Sequence, residues 1–489
     1  MIYLLWSLPA LAVIAAIGSG RLNTIRAAVL GLLITLPVAM FTGPAAFGGA
    51  QLADALARGL WIGATIAPYI LGGLLFWQIA AHGAAAPANV EGLGAAGASP
   101  VARRRLLFFA CFLVGPFAES ATGFGVGMLG TVTLIRRLDI APRPLMIFAL
   151  LSQTMIPWGA MGSGTMLAAA FAHIPGSELG LYSMVPVSLL MLVWLALFWR
   201  TAREVGLGAS ATECAREALW IAAGLALLAP ATAWLGPESA LLATYGPLIV
   251  LRYLMDVRPD GRAAWATARR AWPYIMLIAV LVATRLLPGL KHELEALWKI
   301  APFDDLPAWS PFFHAGSWLV AGGVVTALAR GQGHRLAQEA RSACKTGRPA
   351  ILAVFLFAMM AEVLSGAGIS RACAQGMFNA LHEEAVLATP LLASVFGILA
   401  NSGNAPNSLF MPSQLALAIQ AGLSIPAVAA LQHVSGTSMS LFSPVRMSIA
   451  AGLAHGIGQE RAVYRTLLPY AACCLALLLL GAAWIVVAR

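Results

Sequence analysis

Charge is scarce in this chain: Asp, Glu, Lys and Arg make up 10% of its 489 residues, and no polar stretch is large enough for a separate soluble domain. Soluble domains carry about 25%, so an ordinary water-soluble fold is excluded. Period-two alternation of apolar and polar residues is missing, which leaves helices rather than strands as the spanning elements. The six cysteines are scattered, mostly within apolar runs and without paired spacing, which speaks against a disulfide framework and a metal site. No paired His, carboxylate or nucleophile constellation stands out, so neither enzyme activity nor a cofactor is expected.

What the chain has is apolar surface: 60% of its residues are hydrophobic and the mean hydropathy is +0.83. A helix needs roughly 20 apolar residues to cross a bilayer. About twelve such runs occur, near 2–19, 26–43, 58–82, 144–172, 180–200, 217–235, 239–255, 271–288, 310–329, 347–365, 425–456 and 466–488. The first, "MIYLLWSLPALAVIAAIG", lacks a basic leader and a small-residue cleavage signal, so it reads as a retained helix. Two glycine-broken segments are left over, 104–137 and 386–421. The formal charge of +10 lies in short loops between the runs, where it sets orientation and implies no nucleic-acid partner.

With the basic loops facing the cytoplasm, the chain threads consistently only if 104–137 enters and leaves from the inner side and 386–421 from the outer side. Both are then re-entrant hairpins, and both termini lie outside a bacterial inner membrane. Hairpins entering from opposite faces suggest an inverted repeat. An offset of 282 sets Glu119 over Asn401 and Gly115 over Gly397; one residue further on, Ser152 and Thr154 fall on Ser435 and Thr437. The expected fold is an all-α integral membrane protein of about 12 transmembrane helices plus two re-entrant helical hairpins, in an inverted-repeat transporter architecture. Residues 1–215 form the first repeat, 216–260 connecting helices and 261–489 the second repeat. The segment "GAAAPANVEGLGAAGASP" (83–100) is low-complexity and expected to be disordered and dispensable.

Irregular backbone at membrane depth survives only where it faces protein or a wet cavity. The hairpin tips and the broken runs that follow them, "QTMIPWGAMGSGT" (153–165) and "SGTSMSLFSPVRM" (435–447), therefore mark a site. Proline removes a backbone donor and glycine permits the turn, leaving half-helix N-termini that attract an anion. Glu119, Ser120 and Thr122 sit at the first tip. Two roles are open to Glu119: a proton carrier, because desolvation favours a neutral carboxyl, or an acceptor of N–H bonds that holds the tip together. Arg446, just past Ser443-Pro444, is the candidate partner for a substrate carboxylate, or else an internal ion pair with Glu119 or Glu362. Glu362 and His433 are further proton-coupling candidates; a lone His is more often a hydrogen-bonded core residue. Ser152, Gln153, Asn401, Ser402, Asn404, Asn407 and Ser435 complete the polar set. Trp158 and Trp309 read as packing or interfacial anchors.

At these residues the chain resembles the bacterial L-lactate permease family, proton-coupled carriers of lactate and glycolate. "GPFAESATGFGVG" (115–127) is similar to that family's glycine-rich hairpin segment, "GAMG" (159–162) stands at the matching distance, and "NSLFMPSQ" (407–414) and "SPVRMSIAAGL…GQERAVYR" (443–465) follow in order. The resemblance places the family's hairpin glutamate on Glu119, its tip serine on Ser402 and its asparagine on Asn407. Where the family has an aspartate this chain has Gly403, where it has a lysine this chain has Ser440, and Arg446 supplies a positive charge that the family pattern lacks there. The function this implies is secondary active transport of a small organic monocarboxylate of the 2-hydroxy acid type, by proton symport. Its partners are the anion, protons and membrane lipid, with an oligomer compatible. A sodium-coupled carrier or exchanger of a different small anion is the alternative; a membrane enzyme and a channel fit less well.

Overall fold

The computed structural model describes residues 2–81, 99–123 and 125–488. Nearly all of the low-complexity segment 83–100 lies outside them. Its last two residues, Ser99 and Pro100, start a helix instead: Ser99 accepts the Ala102 N–H and Pro100 occupies the first helical position, where a missing N–H costs nothing.

The fold is all helical; among the described residues the one β feature is an isolated bridge between Ile300 and Trp309. Among the described residues nine helices are long and apolar enough to cross a membrane, and a tenth forms if Pro142–Leu151 and Ile156–Ala172, bent by 59°, count as one. The difference from twelve has physical causes. Ile2–Gly18 and Ala315–Ala329 are apolar but short. The run 425–456 is split at Ser443 into Ile425–Met439 and Pro444–Ala454. Conversely, Ile369–Leu381, between two expected elements, is helical and extends the second hairpin's first arm away from its tip.

Both broken segments are hairpins. In the first, a helix from Pro100 to Thr122 carries a π-helical turn at Ala110–Val114, and past Gly123 the chain returns as Val126–Ile135. In the second, Ala388–Ala400 reverses at 401–403 and returns as Asn404–Ala421, which packs on both Ala388–Ala400 and Ile369–Leu381. Each hairpin is followed by a broken helix: Pro142–Leu151 with Gly159–Ala172, and Ile425–Met439 with Pro444–Ala454.

The offset seen in the sequence reappears as packing. A β-carbon on Gly115 would collide with Ser152, and one on Gly397 would collide with the carbonyl of Gly436. Each hairpin thus meets its following helix through a glycine at the equivalent place. Gly397→Ala therefore forces backbone apart in a packed interior, a change that costs about 1–3 kcal/mol or more. The expected result is a clearly lowered melting temperature, against an unchanged or slightly raised one for Gly452→Ala, where nothing lies within 4 Å of the added carbon.

The base of the first hairpin is fixed. "RRR" (103–105) reads as a loop in sequence, but Arg104 is only 3% exposed. Its guanidinium forks onto both carboxylate oxygens of Glu217 at 2.8 and 2.9 Å, and Trp199 donates to the same carboxylate at 2.7 Å. Breaking one partner of such a buried pair leaves an uncompensated charge, so the base is held while the tip projects to the centre.

Candidate functional site

Four irregular stretches converge on one arginine. At the first tip, Gly123 and Gly125 take φ of 71° and 79°, values that glycine adopts without a Cβ penalty. The turn lets Glu119, 5% exposed, reach across it: its carboxylate oxygens accept the Gly125 N–H at 3.4 Å and the Gly127 N–H at 3.1 Å. A carboxylate at the N-terminus of Val126–Ile135 satisfies orphan donors and the helix dipole. Ser120 and Thr122 point back to their own helix, donating to Phe117 and to Ala118 and Gly123 carbonyls.

The following helix stops at Leu151. Ser152 donates to the Ala149 carbonyl and accepts from the Gln153 amide at 3.2 Å, and Ala160, Met161 and Gly162 are all left-handed. Those bonds aim the Gln153 carbonyl at Arg446 Nη1, which donates to it at 2.5 Å. From the second tip, Asn401, itself left-handed at φ 54°, accepts from Arg446 Nε at 3.2 Å. Ser402 beside it caps the return arm by accepting the Asn404 N–H at 3.0 Å.

Arg446 lies in the first turn of Pro444–Ala454, whose start is capped by Ser443. It is 9% exposed, and among the described residues no carboxylate lies within the 4.0 Å of an ion pair. Both partners are neutral amides. A cation at a helix N-terminus is also opposed by the dipole. Glu119 acts on it through space without pairing. A buried guanidinium with no counterion and an adverse dipole is stabilised by an incoming anion.

The other candidates divide into two places. Asn407 and His433, both fully buried, meet at 2.9 Å, and His433 Nε2 contacts Thr165 Oγ1 at 2.9 Å. Thr165 donates to the Pro157 carbonyl, so the ring donates from Nε2 and accepts at Nδ1 from Asn407; this assigns the tautomer from the network. This is the hydrogen-bonded core histidine, and it ties the second hairpin to the first broken helix. Asn404 stands close to Gly164 in the same junction, and Ser435 Oγ is buried without a described partner. Glu362 is elsewhere. It pairs with Arg58 at 2.9 Å in a cavity of about 590 Å³, and Arg58 also bonds both carboxylate oxygens of Asp305. The pairings of Arg446 with Glu119 or Glu362 that the sequence left open are thus both absent. The Arg58 hydrogen bond holds the loop carboxyl of Asp305 below its ordinary 3.8, so it is charged at neutral pH.

Sequence reasoning missed Arg58, Asp305 and Thr165, whose partners Glu362, Arg58 and His433 lie 304, 247 and 268 residues away. It offered N–H bonds to Glu119 as one of two roles but did not name the donors, Gly125 and Gly127, which carry no side-chain signal. Gly403, where the family resemblance expects aspartate, has no room for one, because its β-carbon would collide with Thr437.

Two examples represent the solved structures that resemble nearly the whole chain. One is the YdaH transporter of Alcanivorax borkumensis, described as having an unusual topology, with TM-score 0.52, 15% identity, and coverage of 95% of this chain and 98% of that one. This chain shares the fold of that protein. The other is MtrF of Neisseria gonorrhoeae, described as illuminating a class of antimetabolite efflux pumps, with TM-score 0.52, 14% identity, and coverage of 96% and 97%. No family model and no curated protein matches the chain. Neither structure is described as a lactate permease, so the sequence resemblance gains no support from them.

Proposed function

We propose that this chain is a secondary carrier of a small organic anion in a bacterial inner membrane, with both termini outside, and that Arg446 holds the substrate carboxylate. The observation carrying this reading is the buried, carboxylate-free guanidinium between two hairpin tips and two helix breaks. The substrate class is a monocarboxylate of the lactate or glycolate type, on the strength of the motif resemblance and of one cation for one carboxylate. Asn401 and Gln153, which flank the guanidinium, are at hand for its hydroxyl group.

The coupling ion in this reading is the proton. Glu119 and an anionic substrate compete for the same N–H groups at the first tip. Protonating Glu119 weakens its hold on Gly125 and Gly127 and frees them for the substrate, so proton and anion bind together. A second reading, sodium coupling, is favoured by buried oxygens without a described partner on Ser394, Ser408, Gln432, Ser435 and Ser438, because hard cations take oxygen ligands.

Reconstituted into proteoliposomes, the protein is expected to accumulate labelled lactate or glycolate when the pH gradient is imposed, without sodium. Accumulation that ignores the gradient and follows sodium at fixed pH establishes the second reading. Absence of uptake for both acids removes the substrate class.

A further inference from the structure

A second cavity, of about 660 Å³, lies away from Arg446 and is lined by Arg103, Arg143, Asp139 and Glu204 together with other residues of the segments 138–144 and 204–207. It is formed where the base of the first hairpin, the start of Pro142–Leu151 and the end of Gly176–Glu204 meet. The basic loops there place it at the cytoplasmic rim.

Its two cations are available to an anion. Arg103 donates from Nη2 to the Leu138 carbonyl at 2.7 Å, and Arg143 from Nη2 to Thr466 Oγ1 at 2.7 Å. Neither has a described carboxylate within ion-pair distance, and Arg143 Nε is buried with no partner. The helix beginning at Pro142 has no side-chain cap. Because Pro142 and Pro144 lack N–H groups, that of Arg143 is the donor its first turn presents. A helix start with an adjacent guanidinium suits phosphate.

The same cavity also carries two carboxylates, which repel a bare phosphate. They sit in a different place: Asp139 and Glu204 are exposed, while both arginines are half-buried. The Asp139 carboxylate has no described hydrogen-bond partner, and Glu204 pairs with Arg200 at 3.2 Å. Half-buried positive charge beside exposed negative charge is the complement of a phosphate esterified to an amine. In a membrane lipid, the phosphate lies nearer the bilayer and the ammonium nearer water. Thr466 belongs to Glu460–Val487, whose apolar window is only 17% buried, so the cavity adjoins a helix that faces lipid.

We propose that this cavity is a headgroup site for an aminophospholipid of the phosphatidylethanolamine type, with its phosphate on Arg143 and Arg103 and its ammonium on Asp139 and Glu204. The bound lipid bridges the hairpin base to two scaffold helices. The inference is independent of what the central site carries.

The test is native mass spectrometry of the full chain purified in detergent with equal ethanolamine, choline and glycerol phospholipids of the same acyl chains. Ethanolamine lipid is expected to be retained about tenfold over the choline lipid, a modest difference in binding. Arg143→Gln should abolish that retention, and Asp139→Asn, which leaves both guanidiniums, should erase the preference between the two headgroups. Glycerol lipid retained as well as ethanolamine lipid would overturn the zwitterionic match. Retention and preference unchanged in both variants would place the lipid elsewhere. Soluble phosphoethanolamine that displaces the lipid at equal concentration would show that the ligand is not a lipid.

Discussion

Replacing Arg446 by glutamine is expected to abolish substrate binding while leaving the empty protein as stable as before, or more so. The two effects have opposite signs for one reason. In the empty site the guanidinium is buried, carboxylate-free and held by Gln153 and Asn401 alone. Removing a buried charge that no carboxylate pairs with, and that Glu119 offsets only through space, relieves a desolvation cost. The substrate carboxylate, by contrast, loses a charge-assisted partner in a desolvated site, worth about 2–5 kcal/mol, or roughly 30-fold to several thousand-fold in affinity. Thermal melting with and without lactate separates the terms: Arg446→Gln should keep or raise the baseline and lose the ligand-dependent rise. Arg446→Lys should bind weakly, because an ammonium cannot hold both amides and still offer a planar edge. A baseline drop of several degrees with the ligand response intact would make Arg446 a structural residue, and the carrier reading would lose its anchor.

How much of this was legible in the sequence follows from how far each signal travels along the chain. The breaks were visible because glycine, proline and small polar residues are local marks in apolar surroundings. Glu119, Asn401 and Arg446 stood out because a polar group at membrane depth needs a reason. The pairing of Gly115 with Ser152 and of Gly397 with Gly436 was foreshadowed by the repeat offset. What the sequence left open was which charges meet. Glu362 and Arg446 are equally conspicuous as letters, yet Arg58, 304 residues from Glu362, claims it, and no local pattern encodes such a pairing. The same limit hid Arg104: three arginines in a row read as a cytoplasmic loop until Glu217, 113 residues on, is seen to bury one of them. The helix Ile369–Leu381 was passed over because its polar residues, Arg371, Gln375 and Asn379 among them, break up the apolar run that marks a span.

Glu119→Gln should separate transport from the proton. The wild-type carboxylate accepts two N–H bonds across the first tip, and an amide of the same shape has one oxygen to give. Its NH2 then faces a donor, so the tip is loosened by the cost of one unsatisfied buried group, about 1–3 kcal/mol, and the melting temperature should fall modestly. If Glu119 is the coupling group, the variant resembles its protonated form permanently: the N–H groups at the start of Val126–Ile135 are partly released, and the anion binds at any pH. Exchange of external for internal lactate across proteoliposomes should therefore persist, while accumulation driven by a pH gradient disappears. Glu119→Asp, one methylene short of both donors, should lower exchange and gradient-driven uptake alike. The combination matters, since a variant that merely misfolds loses both activities. Gradient-driven accumulation that survives in a folded Glu119→Gln protein would assign the carboxylate to holding the tip alone and move the proton to another group.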